Sequence, residues 1–199
     1  MVSRKAVTDH PVHELIAKRW SPYAFADRSV AERDLRSLFE AARWAPSSRN
    51  EQPWRFLVAD RTQSPEAFDA LLSAITSGNR AWAHAAPVLV LVAVRLTVEQ
   101  TGEANQHAYY DAGQAVALLT IQAQSQGLAI RQMEGFDHQR AREVCLVPGA
   151  FEPAVVMAIG YPGPPESLAS EKHRASEVTP RRRRPAAEFV FNGVWDKVF

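Results

Sequence analysis

"APVLVLVAVR", residues 86 to 95, is an unbroken valine and leucine run that ends on Arg95. A strand with one wet face alternates apolar and polar residues. A continuous run is the pattern of a strand covered on both faces. The segment is therefore expected at the centre of a sheet with helices on either side. Extended by Ala85 it still reaches only about half of the roughly 20 residues a membrane span needs, and Pro87 interrupts it. No membrane partner is expected.

Outward from this strand the chain reads as alternating elements. Upstream, "WRFLVAD" (54–60) alternates and is rich in β-formers, and "SPEAFDALLSAITSG" (64–78) reads as a capped helix ended by Gly78. "HPVHELIAKRW" carries Val12, Leu15, Ile16 and Ala17 at helical spacing. "SVAERDLRSLFEAARWA" repeats the pattern with Leu35, Leu38, Phe39 and Ala42 after a Ser29 cap. The Pro22-containing stretch between them is a loop. Downstream, residues 105 to 126 form a long helix with apolar residues on more than one stripe, which calls for cover on two sides, a partner subunit being a natural second cover. "LAIRQME" and "EPAVVMAIGYP" are two further strands joined through the helix "DHQRAREVC". From Pro162 to Pro185 periodicity is lost, and strand-like residues return in "AAEFVFNGVW". The stretch reads as an arm that docks elsewhere.

A chain of 199 residues, 46% hydrophobic and 23% charged, suits one folded domain spanning 1–199. The N-terminal residues carry Asp9, His10, His13 and Glu14 where a secretory signal would be apolar, so export is not expected. Cys145 is the sole cysteine, which excludes an internal disulfide and fits a reducing cytoplasm. It ends an apolar-faced helix, where thiols are usually inert. His10 and His13 lack acidic or thiol partners at ligand spacing, so no metal is expected. Net charge is +1, yet "RRRR" at 181 to 184 supplies four of the 23 basic residues; the other 19 face 22 acidic ones. Local basicity of this kind suits a small anion better than nucleic acid, which is not expected as a partner.

No glycine-rich phosphate loop and no G-x-S-x-G elbow occurs. Any phosphate must then be held by arginines, whose planar paired donors match it. Arg19, with Ser21 in "RWSP", and the 181 to 184 run are the candidates. "APSSRNEQPW" (45–54) gathers Ser47, Ser48, Asn50 and Gln52 between Pro46 and Pro53. Such donors and acceptors on a stiff loop suit the edge of a planar heterocycle, or else satisfy one another in a polar turn.

These segments together resemble the nitroreductase family of FMN-dependent oxidoreductases, from about residue 13 to about 190. "RWSPYAF", "APSSRNEQPWRFLV", "GNRAWAHAAPVLVLV", "DAGQAVALLTIQAQSQGLAIRQMEGFD" and "RRRRPAAEFV" match its segments in order, the proline-serine signature most specifically. The resemblance implies an α+β sandwich with a mixed, mostly antiparallel central sheet flanked by helices, built as an intertwined homodimer. Residues 162–199 would be an extended arm exchanged with the partner, and FMN would lie at the subunit interface.

By position, the resemblance gives Arg19, Trp20 and Ser21 to the FMN phosphate and ribityl chain, with Arg181 and Arg183 completing the phosphate site and Arg184 as the alternative register. Pro46, Ser47 and Ser48 would line the flavin from the other subunit, with Asn50 shaping the pocket. Glu134 and Gly135 would present backbone amides to N5 and O4, and Asn79 would face the pyrimidine edge. Trp82, Tyr109 and Tyr110 are candidates to cover the open face, but core packing is the expected role for at least two of them.

One departure is Tyr23, where the family commonly has Arg or Lys. A cation there would stabilise reduced flavin, and Arg80 is the candidate replacement. The function implied is transfer of hydride from NAD(P)H through FMN to an electron-poor small molecule such as a nitroaromatic, quinone or enone. A reductive dehalogenase or flavin-consuming enzyme on the same scaffold, or a non-catalytic flavin- or nucleic-acid-binding module, are the alternatives.

Overall fold

The computed structural model describes residues 4–199. Its centre is a four-stranded sheet of β1 (Trp54–Asp60), β2 (Val88–Arg95), β3 (Ala129–Met133) and β4 (Phe151–Gly160) in the order β1-β2-β4-β3. Every pairing in this sheet is antiparallel. The valine and leucine run occupies β2, an interior strand whose first seven residues are buried.

Burial on both faces follows from the period of two. Val88, Val90, Val92 and Val94 point into one core, and Leu89, Leu91 and Ala93 into the other. The valine face packs under α2 (Glu32–Arg43) and α5 (Ala108–Ser125), which supply Leu35, Leu38, Ala112, Ala115 and Leu119. The leucine face packs under α3 (Pro65–Ala74), α4 (Ser77–Ala83) and α6 (His138–Val144), with Phe68, Leu71, Trp82 and Ala141. Opposite Val92 and Ala93 the β4 register slips by one residue at Ala154. Such a bulge accommodates Pro153, which has no N–H to give a regular ladder.

Several elements differ from the sequence reading. The first helix, α1, covers only Glu14–Lys18 and is capped by the His13 ring. Helix α2 starts at Glu32 after Ala31, without a side-chain cap from Ser29. The helix expected to end at Gly78 stops at Ala74 instead. Ile75 turns extended to bridge Phe136, and Gly78 lies inside α4. A β-branched residue with a partner across the sheet edge outweighs the helical pattern on both sides of it.

The segment from Pro162 also carries more structure than its composition suggests. It starts by pairing with the entry loop, where Phe25 bridges Pro162 and the Gly163 N–H donates to the Ala24 carbonyl at 2.9 Å. A Cβ at Gly163 would stand 2.6 Å from the Phe25 carbonyl carbon, so only glycine allows this approach. A helix, α7 (Glu171–Val178), then forms behind a Ser170 cap. "AAEFVFNGVW" adds no strand to the sheet; it forms a 3-10 turn at Ala186–Glu188 and one isolated bridge between Phe191 and Val198.

Candidate active site

The two ends of the described chain meet beside α1. Arg19 leaves the helix in an extended conformation and donates from Nη1 to Ser21 Oγ at 3.1 Å. From the other end, Arg181 follows α7 back to the same place and donates to the carbonyls of Arg19, Arg4 and, at 2.8 Å, Ala17. Arg4, Arg19, Ser21 and Arg181 line a cavity of about 260 Å3 together with Tyr23, Glu177 and Arg183. Trp20 forms part of the wall and carries the Arg4 guanidinium 4.5 Å from its ring centroid.

Four guanidinium groups here face one carboxylate. Glu177 is buried, with its side chain 1% exposed; it accepts the Tyr23 N–H and pairs with Arg4 Nη2 at 3.4 Å. Burial first, and then the neighbouring positive charges, push the Arg19 and Arg181 guanidiniums below their ordinary range. The Nε of Arg181 is buried without a hydrogen-bond partner. Excess positive charge and an unused donor leave the cavity suited to an anion with several acceptor oxygens.

Beyond Ser21 the wall becomes aromatic. Tyr23 stacks on His173 of α7 at 4.4 Å between centroids and meets Trp82 edge-on at 5.4 Å. Arg131 of β3 lies over the Tyr23 ring at 3.3 Å and donates to the Ser21 carbonyl at 2.7 Å. Strand β3 then runs into Glu134 and Gly135. The Gly135 carbonyl accepts from the Thr76 hydroxyl at 2.9 Å, the Thr76 N–H at 3.1 Å and Asn79 Nδ2 at 3.2 Å. A Cβ on Gly135 would sit 2.6 Å from that Asn79 nitrogen, so the absent side chain permits the contact.

The proline-serine loop forms a second, separate surface. Pro46, Ser47 and Ser48 line a cavity of about 330 Å3 together with His107, Tyr110 and Asp111 at the start of α5, and it shares no lining residue with the arginine cavity. Arg49, Asn50 and Gln52 all have positive φ, of 54°, 58° and 45°. Ser47 Oγ accepts the Gln52 N–H at 3.0 Å, and the buried Asp111 carboxylate accepts the Ser48 N–H at 3.0 Å. The flanking prolines thus bracket a loop held by its own side chains.

Of the residues expected at a site, Arg19, Trp20, Ser21, Tyr23, Arg181 and Arg183 come together in one cavity. Arg184 is outside it, paired with Glu188 at 3.8 Å. Asn79 and Gly135 contact each other, Glu134 is exposed at the end of β3, and Arg80 is exposed on α4. Pro46, Ser47 and Ser48 stand on the second surface with Asn50 exposed beside them. Trp82 is core, whereas Tyr109 and Tyr110 are 55% and 71% exposed, so only one of the three packs inside. Cys145 is half-buried, and burial pushes its thiol up, away from the reactive thiolate. Sequence reasoning missed Arg4, Arg131, His173, Glu177 and Asp111. Only the four-residue spacing of His173 and Glu177 hinted at a shared helix face.

Known proteins agree with this architecture. The family model described as "Nitroreductase family" matches residues 16–161. An uncharacterized 15.4 kDa protein of Mycolicibacterium smegmatis is 35% identical over 150 residues, 71% of this chain and 97% of that protein. A Streptomyces coelicolor protein whose name pairs NADH dehydrogenase with NAD(P)H nitroreductase is 28% identical, over 72% of this chain and 79% of its own. Among solved structures, an oxidoreductase containing FMN superposes with a TM-score of 0.91 at 31% identity, over 99% of both chains. A nitroreductase from Desulfovibrio desulfuricans in complex with FMN gives 0.70 at 25% identity, over 94% of this chain and 99% of that one. By sequence match and by fold alike, the chain belongs to the nitroreductase family.

Proposed function

We propose that the protein is an FMN-dependent oxidoreductase that draws electrons from NAD(P)H and delivers them to a small electron-poor acceptor such as a nitroaromatic, quinone or enone. The observation that carries this reading is the convergence of Arg19, Arg181 and Arg183, from opposite ends of the chain, on one cavity. Its residues fit the phosphate of a mononucleotide. The crowded positive charge is relieved by a phosphate dianion.

Arg181 spends its terminal nitrogens on three backbone carbonyls, which leaves Arg19 and Arg183 as the direct phosphate ligands and Arg181 as the brace between them. At about 260 Å3 the cavity is smaller than the roughly 300–1,000 Å3 typical of a complete small-molecule site. A homodimer supplies the remainder in this reading: the Pro46–Ser48 loop of one copy closes the ring-binding half on the other. Exposed Tyr109, Tyr110 and Leu118 on α5, and exposed Phe189, Trp195 and Phe199 near the C-terminus, give such a dimer its apolar contact, with the last residues as the exchanged arm.

When bound, FMN supplies the acceptor and donor of hydride, at N5 of its ring. The chain's part is positioning. Glu134 and Gly135 present backbone groups to the ring, and the triple contact on the Gly135 carbonyl fixes that turn. Tyr23 lines the cavity and is backed edge-on by the buried Trp82 at 5.4 Å. The net reaction takes two electrons and a proton from NAD(P)H and one further proton from solvent to reduce the acceptor.

The test is spectroscopic. Purified protein reconstituted with FMN should be yellow, and anaerobic NADH or NADPH should bleach it, with colour restored by a quinone or nitroaromatic. Absence of bound flavin removes the reading. Bound flavin bleached by neither nicotinamide leaves a binding module in place of a reductase.

A further inference from the structure

We infer that the Arg131 guanidinium faces the flavin ring and supplies the positive charge that stabilises its reduced state, the task for which Tyr23 leaves no cation on its own segment. The inference rests on the FMN reading above and is carried by where Arg131 lies. It bridges the two stretches of chain assigned to the cofactor: its Nη1 holds the Ser21 carbonyl at 2.7 Å, and β3 reaches Glu134 and Gly135 within four residues of it. Arg4 is committed to Glu177 and Trp20, and Arg181 to backbone carbonyls.

The charge on Arg131 makes no ion pair among the described residues, although Tyr23 and Glu177 attract it. Among the described residues no carboxylate lies within ion-pair distance of it. The nearest acid, Glu177, spends its oxygens on the Tyr23 N–H and Arg4. What holds Arg131 is aromatic: the Tyr23 ring at 3.3 Å and the Trp82 ring at 5.3 Å. A π face anchors a guanidinium and fixes its plane while leaving its net charge intact. Burial pushes Arg131 below its ordinary range, yet an arginine stays protonated. A half-buried charge of this kind is weakly screened. Arg80, the cation expected from sequence, is exposed on α4, where salt screens it over about 8 Å. Tyr23 is then a platform for a cation brought from β3.

The experiment compares R131Q, which keeps a donor for the Ser21 carbonyl without the charge, with R131K, which keeps the charge without the fork. Both are reconstituted with FMN. Flavin fluorescence quenching gives the affinity for oxidised FMN, and redox titration against dyes gives the midpoint potential. R131Q is expected to weaken reduced relative to oxidised FMN by about tenfold, a downward shift of about 30 mV for a two-electron couple. R131K should remain within about threefold of the parent. If R131Q does not fold, R131M takes its place as the neutral variant on the same criteria. An unmoved potential in the neutral variant, or a shift found in Arg80→Ala but not in R131Q, overturns the inference. A parent protein that binds no FMN overturns instead the reading on which it rests.

Discussion

The arginine cavity and the proline-serine loop are held in opposite ways. The cavity joins residues 173 positions apart in the chain, Arg4 and Glu177, through side-chain charge, and Arg181 ties three carbonyls across the same seam. The loop is local: residues 47 to 52 bond to one another, and the outside groups that bond to them are Asp111, Glu99 and the nearby Arg55. Its cost is backbone strain at three non-glycine residues with positive φ, on the order of 1 kcal/mol each. One surface is therefore vulnerable to loss of a charge, and the other to loss of a conformation.

The largest expected effect tests the first half of that contrast. Glu177→Ala strips the buried carboxylate from Arg4 and from the Tyr23 N–H, and should lower the unfolding free energy by about 3 kcal/mol in urea titration. A loss below about 1 kcal/mol would mean that the Arg181 bonds to backbone carbonyls hold the seam without the carboxylate. Next, Asp111→Ala leaves the Ser48 N–H without its acceptor. FMN affinity should fall about tenfold by fluorescence titration, while Asp111→Asn keeps most of it. An unchanged affinity would show the loop to be self-supporting.

A smaller effect of opposite sign is expected from Arg49→Gly. Glycine removes the strain at φ 54° but adds freedom to the unfolded chain, so stability should rise by no more than about 1 kcal/mol, read as an increase in Tm. The smallest concerns pH. Burial, then the positive charges of Arg131 and Lys172, hold the His173 ring below its ordinary pKa. The unfolded chain therefore takes up this proton first as pH falls below about 6.5, and stability declines there and is regained as pH rises. His173→Gln should flatten that part of a Tm-against-pH curve; an identical slope in the variant would detach α7 from the cavity's electrostatics.

Much of the fold was legible because burial writes a period into sequence. The valine and leucine run of β2 has no polar face, and the structure puts a core on each side of it. Helix α7 was not legible, since "EKHRASEV" buries only Glu177 and so shows no apolar period. Ile75 likewise gave no warning that it would break a helix, because its partner Phe136 lies 61 residues on. At the site, the arginines of both chain ends were readable from type and position. Arg131 and Asp111 were not: a lone arginine in a strand and a lone aspartate in a helix look like solvated charges until the partners that enclose them are known. Exposed aromatics misled in the other direction, as Tyr109 and Tyr110 lie outside the core that their helix was expected to fill.

The stitching of Arg4 to Glu177, Thr179 and Arg181 has a consequence for biosynthesis. At about 5–20 residues per second, a ribosome needs roughly 10–30 s to travel from one side of that seam to the other. Throughout that interval Arg4 lacks its partners on the far side of the seam. The arginine cavity is thus among the last parts of the molecule to close, and the capture of the cofactor proposed for it would follow synthesis of both sides of the seam.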